Sequence, residues 1–209
     1  MSLRTAYAGG TRLCEDPIVY AFDDFVTDDE CRHITEIARP HLQRGQVSGV
    51  NGGVQSQGRS NELTWLPHDT DDVTTAITER VAALVGLPAE NAESMQVIRY
   101  SPGQEYRHHF DAYNLGSERG RRCCSRGGQR LVTTLIYLSD VEEGGCTGFP
   151  RLGMAVVPRK RTMLLFHNCH QGTTYVHPDT LHAGLPVIRG EKWAVNLWFR
   201  ERPYRLPGE

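Results

Sequence analysis

The second half of this chain consists mostly of short apolar runs that Gly- and Pro-containing segments separate. The runs are rich in β-branched and aromatic residues and are too short for ordinary helices, which is typical of β-strands. An earlier run at residues 18–22 has the same character. We therefore predict strands at residues 18–22, 95–100, 131–138, 155–157, 163–166 and 193–199.

The first half of the chain carries two helical patterns. Thr27 and Glu30 have the spacing of a capping box, and Pro40 predicts that the helix behind them ends at the preceding residue. A second apolar stripe at helical spacing begins near Thr70 and stops at Gly86. Helices followed by many short strands favour a mainly β (α+β) fold, a double-stranded β-helix or jelly roll with the N-terminal helices packed on one sheet.

Length and composition fit one folded domain. The 209 residues have a formal net charge of −2, which gives no general attraction to nucleic acid or to a membrane surface. Residues 1–16 lack periodicity and are predicted to form a loose leader, followed by a single domain at residues 17–209. Because the N-terminus lacks the apolar region of a secretory signal, we expect a cytoplasmic protein.

The cysteines are expected to be free thiols. Six are present, and disulfides are rare in proteins that are not secreted. The alternative is a zinc cluster, although the spacing matches no standard zinc pattern. Its ligands would come from Cys123, Cys124, Cys146, Cys169 and His170.

A His-x-Asp pair, His109 and Asp111, is the first candidate for a metal site. If this segment is a strand, residues i and i+2 point to the same face, so the imidazole and the carboxylate reach one point. His182 is the candidate for the third ligand, because two histidines with one carboxylate suit Fe(II) and oxygen chemistry. The histidines that compete with it are His167, His170 and His177.

Four segments resemble those of one enzyme family and occur in the family's order. They read Y-x-x-G-Q-x-Y-x-x-H-x-D from Tyr100, R-x-x-T-x-L-x-Y-L from Arg130, G-G-x-T-x-F-P from Gly144 and L-H-A-G-x-P-V-x-x-G-x-K-W from Leu181. With them the chain resembles the prolyl 4-hydroxylase branch of the Fe(II)/2-oxoglutarate-dependent dioxygenases, from about Ile18 to Phe199. The resemblance implies a jelly roll with an oxygenase core at about residues 92–201. It also implies that His182 completes an iron site with His109 and Asp111.

Lys192 is the candidate that binds the cosubstrate. It stands at the start of an apolar run, and a buried ammonium is costly unless it is paired. The resemblance implies that Lys192 binds the far carboxylate of 2-oxoglutarate, with the hydroxyls of Tyr100 and Thr133. A lysine in a turn just outside the strand is the plainer alternative. The resemblance further implies O2 as a cosubstrate and L-ascorbate as the reductant of the iron.

Two aromatic residues are candidates for the substrate side. Trp198 resembles the family's aromatic residue near the iron, and Tyr106 lies three residues before His109; core packing is the alternative for both. Residues 117–130 carry five arginines and one glutamate. They predict either a lid over the site or a solvated loop. As a lid, this segment would favour a partner that carries carboxylates.

Three positions depart from the family's pattern. Cys146 stands where the family often has glutamate, Arg161 where a turn glycine is usual, and His167 where tryptophan is common. None of them is a ligand position. The expected iron chemistry is therefore kept, and the departures bear on the substrate.

These features favour a hydroxylase that oxidises prolyl residues of a peptide or protein and converts 2-oxoglutarate to succinate and CO2. The first alternative is a hydroxylase of free proline, another amino acid or a natural product. The second belongs to another class, a non-catalytic metal-binding or oxygen-sensing module. A third, demethylation of nucleic acid, is disfavoured by the near-neutral charge.

Overall fold

Short antiparallel strands form most of the molecule. A computed structural model describes residues 3–49 and 52–205. The strands are β1 (Thr11–Cys14), β2 (Val19–Phe22), β3 (Gln43–Arg44), β4 (Gln46–Ser48), β5 (Gly53–Gln55), β6 (Glu62–Leu66), β7 (Met95–Tyr100), β8 (Tyr106–His109), β9 (Arg130–Tyr137), β10 (Glu143–Gly144), β11 (Thr147–Phe149), β12 (Met154–Val156), β13 (Met163–His167), β14 (His182–Gly184), β15 (Val187–Arg189) and β16 (Lys192–Arg200). The α-helices are α1 (Asp28–Ala38), α2 (Asp72–Val85) and α3 (Glu118–Cys124), and short 3-10 turns lie at Arg39–His41, Ala89–Asn91 and Pro178–Thr180.

The strands are organised into a large and a small sheet. The large sheet has eight strands in the order β1-β2-β13-β9-β16-β7-β6-β3, and the small sheet has four in the order β12-β11-β14-β8. Two further pairs, β4 with β5 and β10 with β15, form two-stranded sheets. The predicted mainly β jelly roll is confirmed, and apolar residues of α1 and α2 share a core cluster with the large sheet.

Alternation along the strands separates two buried layers. On β16, Trp193, Val195 and Leu197 join the core that the helices cover. The intervening residues Lys192, Asn196 and Trp198 line a pocket on the other side of the sheet. A second apolar cluster lies on that side and includes Tyr100, Tyr137, Phe149 and Phe166.

Both predicted helices begin and end where their capping residues indicate. The Thr27 side chain accepts a hydrogen bond from the Glu30 amide, the Glu30 side chain accepts one from the Thr27 amide, and α1 ends at Ala38. Helix α2 ends at Gly86, whose φ of +74° lies in the left-handed region that favours glycine. No helix of the described ranges is long and apolar enough to cross a membrane.

The prediction of a loose leader at residues 1–16 is wrong where the structure describes it. Strand β1 pairs with β2 at the end of the large sheet. Tyr7 is buried, and its hydroxyl lies 2.7 Å from Nε2 of His167. A strand of four residues is too short to show a clear apolar period of its own, so only its pairing partner reveals it. Residues 1 and 2 lie outside the described residues.

The arginine-rich segment at residues 117–130 is not the irregular loop that composition indicates. Ser117 caps the short helix α3 by accepting a hydrogen bond from the Gly120 amide. Arg119 donates to the carbonyl oxygen of Ser48 at 3.1 Å, and Arg122 donates to that of Gly49 at 2.5 Å. These bonds attach α3 to the end of β4, which pairs with β5. Residues 50 and 51, between these two strands, lie outside the described residues.

Arg161 occupies the turn position at which the family usually has glycine. Its φ is +73°, in the left-handed region that side chains disfavour. Its guanidinium lies 2.7 Å from Oδ1 of Asp24. Arg161 therefore adopts the left-handed backbone conformation of this turn, and its side chain forms an ion pair with Asp24.

Candidate active site

Three side chains with metal-binding atoms meet between the sheets. His109 ends β8, His182 begins β14, and the two residues are direct partners in the antiparallel register. Asp111 lies in a bend two residues beyond β8. Nε2 of His109 is 3.6 Å from Oδ1 of Asp111, and Nε2 of His182 is 3.6 Å from Oδ2. Across residues 3–49 and 52–205, this is the one group of three or more such side chains whose ligand atoms all lie within 4.8 Å of one another.

Main-chain carbonyls orient both imidazoles. Nδ1 of His109 is 2.8 Å from the carbonyl oxygen of Arg107, and Nδ1 of His182 is 2.9 Å from that of Thr180. A carbonyl can only accept, so each Nδ1 carries the proton and each Nε2 keeps its lone pair toward Asp111. Burial lowers the pKa of His182 to about 4, so this imidazole is neutral near pH 7.

A hydroxyl holds the carboxylate in place. The Thr133 hydroxyl donates to Oδ2 of Asp111 at 2.8 Å and accepts from the side-chain amide of Asn168 at 2.9 Å. Burial by itself raises the pKa of Asp111, but His182 and His109 outweigh it and hold that pKa far below its ordinary value. The site thus offers two imidazole nitrogens and one ionised carboxylate oxygen, a donor set that suits Fe(II).

Lys192 lies in the same pocket and is 2% exposed. Its ammonium donates to the carbonyl oxygen of Gly145 at 2.7 Å and to Oγ1 of Thr147 at 3.4 Å. Burial lowers the pKa of Lys192 to about 8, and no carboxylate of the described residues counteracts it. A buried cation without a counter-ion fits a pocket for an anionic ligand.

A threonine hydroxyl and a tyrosine ring lie near this ammonium. The Thr147 hydroxyl accepts from the hydroxyl of Tyr137 at 2.8 Å, so its own hydrogen is free to donate to a ligand. Tyr100 is the register partner of Lys192, and its ring centroid is 5.5 Å from the ammonium. Burial raises the pKa of Tyr100 to about 12, which keeps this hydroxyl protonated.

The expectation that Thr133 accompanies Lys192 is wrong. Thr133 pairs with Trp198 across β9 and β16. Trp198 lies six residues from Lys192 along β16, a separation of roughly 20 Å. Its hydroxyl contacts Asp111 instead. Thr147, which the quoted G-G-x-T-x-F-P segment contains, is the threonine beside Lys192.

Aromatic and cationic side chains form the outer wall of the pocket. The Tyr106 ring stacks on the His109 ring with centroids 3.6 Å apart. The Arg130 guanidinium lies 3.7 Å from the centroid of the Trp198 ring. Arg130 also donates twice to the buried carboxylate of Glu93, at 2.6 and 2.7 Å. Tyr106, Trp198 and Arg130 therefore line the pocket, and a substrate-side role for Tyr106 and Trp198 stays a prediction.

The competing histidines lie elsewhere. His167 contacts Tyr7, and burial lowers the pKa of His167 to about 4. His170 and His177 contact each other, with ring centroids 4.3 Å apart. All six cysteines are free thiols, as predicted, and the zinc cluster is absent from the described ranges.

Comparison with known proteins places the chain in a family. The model of the 2OG-Fe(II) oxygenase superfamily matches residues 95–200. The chain belongs to this superfamily. The predicted class of this oxygenase, a 2-oxoglutarate-dependent dioxygenase, is therefore confirmed.

Several relatives of this oxygenase are prolyl hydroxylases by name. "Probable prolyl 4-hydroxylase 8" of Arabidopsis thaliana is 33% identical, over 90% of this chain and 70% of that protein. A "putative prolyl 4-hydroxylase" of Acanthamoeba polyphaga mimivirus is 34% identical, over 88% of this chain and 75% of its own length. The viral collagen prolyl hydroxylase of Paramecium Bursaria Chlorella virus-1, solved as its 2OG complex, superimposes with a TM-score of 0.71 at 30% identity. The superposition covers 90% of this chain and 98% of the viral one.

Proposed function

We propose that this oxygenase hydroxylates prolyl residues of a peptide or protein and couples the reaction to decarboxylation of 2-oxoglutarate to succinate and CO2. One observation carries the proposal. Three metal-binding side chains on the small-sheet side face an unpaired, buried Lys192 on the large sheet, in one pocket of about 800 Å³. The names of the relatives support proline as the target.

His109, Asp111 and His182 would hold the ferrous ion. Their tautomers and charges fit it, because two lone pairs and one carboxylate converge while Thr133 fixes the carboxylate. When bound, the iron supplies, with O2 and 2-oxoglutarate, the oxidation of an unactivated C–H bond. The chain's own residues bind and orient the reactants and exclude water.

Lys192, Tyr100 and Thr147 would bind the far carboxylate of 2-oxoglutarate. The ammonium provides the charge, and the two hydroxyls provide directed hydrogen bonds. The buried position of Lys192 strengthens this interaction, because little water competes there.

Tyr106, Arg130 and Trp198 would position the substrate. Their flat, packed surfaces suit a proline ring, which has no side-chain donor or charge of its own. The ion pair of Arg130 with Glu93 fixes the guanidinium against Trp198. The target C–H bond would then be held near the three ligand side chains.

The test is an assay for succinate and for a +16 Da product on a panel of proline-containing peptides. The mixture contains Fe(II), 2-oxoglutarate and ascorbate, the reductant that the resemblance implies. We expect peptide hydroxylation by the wild type, loss of turnover in His109→Ala, and wild-type turnover in His41→Ala, a control at an exposed histidine. Product formation by His109→Ala would overturn the assignment of the site.

The alternatives give different results in the same assay. Hydroxylation of free proline or another small molecule, without peptide turnover, would favour a small-substrate hydroxylase. Binding of iron and 2-oxoglutarate without any succinate would favour a non-catalytic module. A cytoplasmic location stays a prediction.

A further inference from the structure

The side chains that line the pocket carry more positive charge than Asp111 and the proposed reactants would neutralise. Four cationic side chains line the pocket, and Asp111 is the one Asp or Glu among the described lining residues. Arg130 shares the carboxylate of Glu93 with Arg200, a buried arginine that does not line the pocket, so Glu93 offsets no charge beyond these two. Under the proposed function, a ferrous ion, the 2-oxoglutarate dianion, Asp111 and Lys192 together sum to zero charge. Arg59 and Arg119 then remain without a counter-ion.

Arg59 is a buried arginine whose hydrogen-bond acceptors are all neutral groups. It is 5% exposed. It donates to Oδ1 of Asn61 at 2.9 Å, to the carbonyl oxygen of Gln46 at 3.1 Å and to Oε1 of Gln96 at 2.9 Å. Its guanidinium also lies 4.5 Å from the centroid of the Tyr106 ring. A guanidinium has five N–H donors, so two remain for a ligand, and the buried charge is unpaired.

Arg119 brings a second charge to the mouth of the same pocket. It projects from α3 and donates to the carbonyl oxygen of Ser48 on β4, while Arg59 donates to that of Gln46 on the same strand. Carbonyls two residues apart in a strand point the same way and lie roughly 7 Å apart. The two guanidinium groups are thus attached to one edge of β4. Arg119 is exposed, so a substrate can reach it.

We infer that the substrate segment carries an acidic side chain, Asp or Glu, near the residue that is hydroxylated. Arg119 binds this carboxylate at the pocket mouth, and the buried charge of Arg59 adds to the attraction. The inference rests on the proposed function, since it concerns the flanking residues of a peptide. It makes Arg119 a specificity-determining residue and leaves the reaction at the iron site unchanged.

The test compares peptides that differ in one flanking charge. Each peptide has a proline flanked by Glu, Gln or Lys at successive positions, with both termini blocked. A neutral peptide with a free C-terminus is added, because a terminal carboxylate is the other source of this chemistry. We measure kcat/KM and, without O2, the Kd of the labelled peptide for the enzyme loaded with Fe(II) and 2-oxoglutarate.

At one position or more, Glu should improve kcat/KM and Kd over Gln by about 5-fold, the range of a single accessible ion pair. Lys should weaken binding there. The preference should shrink as ionic strength rises from about 0.01 to 1 M. Arg119→Glu should reverse the order, so that Lys becomes better than Glu, which a merely structural arginine would not produce.

Arg121→Glu is the matched control. Arg121 lies in the same short helix and is exposed, but it does not line the pocket and donates to the carbonyl oxygen of Gly116. This variant should keep the wild-type preference. Equal values for Glu, Gln and Lys peptides at every position, or an unchanged preference in Arg119→Glu, would overturn the inference. If only the free C-terminus is favoured, the carboxylate is terminal and the side-chain assignment is wrong.

The inference and the proposed function fail in different ways. If no peptide is hydroxylated or bound, the proposed peptide substrate is wrong. If peptides are hydroxylated regardless of charge, only the acidic specificity is wrong. Where the wild type does prefer Glu, Arg59→Gln, with its folding checked by its unfolding temperature, should reduce that preference and report how much the buried arginine adds to it.

Discussion

Replacing Lys192 with methionine should change stability and cosubstrate binding in opposite directions. The pKa of the buried ammonium falls from 10.5 to about 8, which corresponds to about 3 kcal/mol against the charged form. The folded-state pKa is depressed below the unfolded one, so at pH 7 the charge opposes folding. Methionine removes this penalty and leaves the Gly145 carbonyl without a donor, which costs about 1 kcal/mol.

The free energy of unfolding without ligand should therefore rise by about 2 kcal/mol, and Tm by about 4–8 °C for a chain of this size. Binding of 2-oxoglutarate should weaken by about 3–5 kcal/mol, because its far carboxylate would be buried without a partner. This is a loss of more than about 100-fold in affinity.

Scanning calorimetry with and without 2-oxoglutarate, together with the KM for 2-oxoglutarate, measures both effects. Added 2-oxoglutarate should raise the Tm of the wild type and leave that of the variant unchanged. Lys160→Met is the control, because Lys160 forms a partly exposed ion pair with Asp28 at 2.6 Å and should affect stability by at most about 1 kcal/mol. A Lys192→Met protein with lowered Tm and a wild-type KM would refute the reasoning.

Three further predictions follow from the site. Thr133→Val should weaken iron binding by about 10–100-fold, as loss of a group that orients a ligand does, whereas Thr147→Val should raise the KM for 2-oxoglutarate at saturating iron; the reverse pattern would contradict the assignment of the two threonines. Because the pKa of Lys192 is about 8, the Kd for 2-oxoglutarate should be level below about pH 8 and rise toward tenfold per pH unit above it, and a flat titration would exclude a charged anchor. Glu93→Gln should lower the free energy of unfolding by about 3–5 kcal/mol in urea, because Arg130 and Arg200 both lose their buried counter-ion; an unchanged midpoint would show that these ion pairs contribute little.

Local signals in the sequence were enough to predict the helix ends and the pair of metal ligands that lie two residues apart. The capping box at Thr27 and the stop at Gly86 depend on residues three or four positions apart, and both were confirmed. The pair of His109 and Asp111 was also local, although Asp111 lies beyond the strand. His182 needed the family motif, because nothing near it distinguishes it from the other buried histidines.

The wrong predictions depend on the pairing and register of strands, which a single sequence does not show. Thr133 and Thr147 both lie on strands, and only the register shows which one reaches Lys192. Strand β1 depends on β2 for its pairing. Asn168 was not predicted because its role, a hydrogen bond to Thr133, is visible only after folding.

The two histidine ligands and Lys192 lie on different sheets. His109 and His182 are partners in the small sheet, whereas Tyr100 and Lys192 are partners in the large one. The distance from a metal ion held by the histidines to the ammonium of Lys192 would consequently depend on the apolar residues packed between the sheets, where Phe149 is fully buried. Core residues that touch neither reactant would therefore determine which chain length of keto diacid spans the gap from the metal to Lys192.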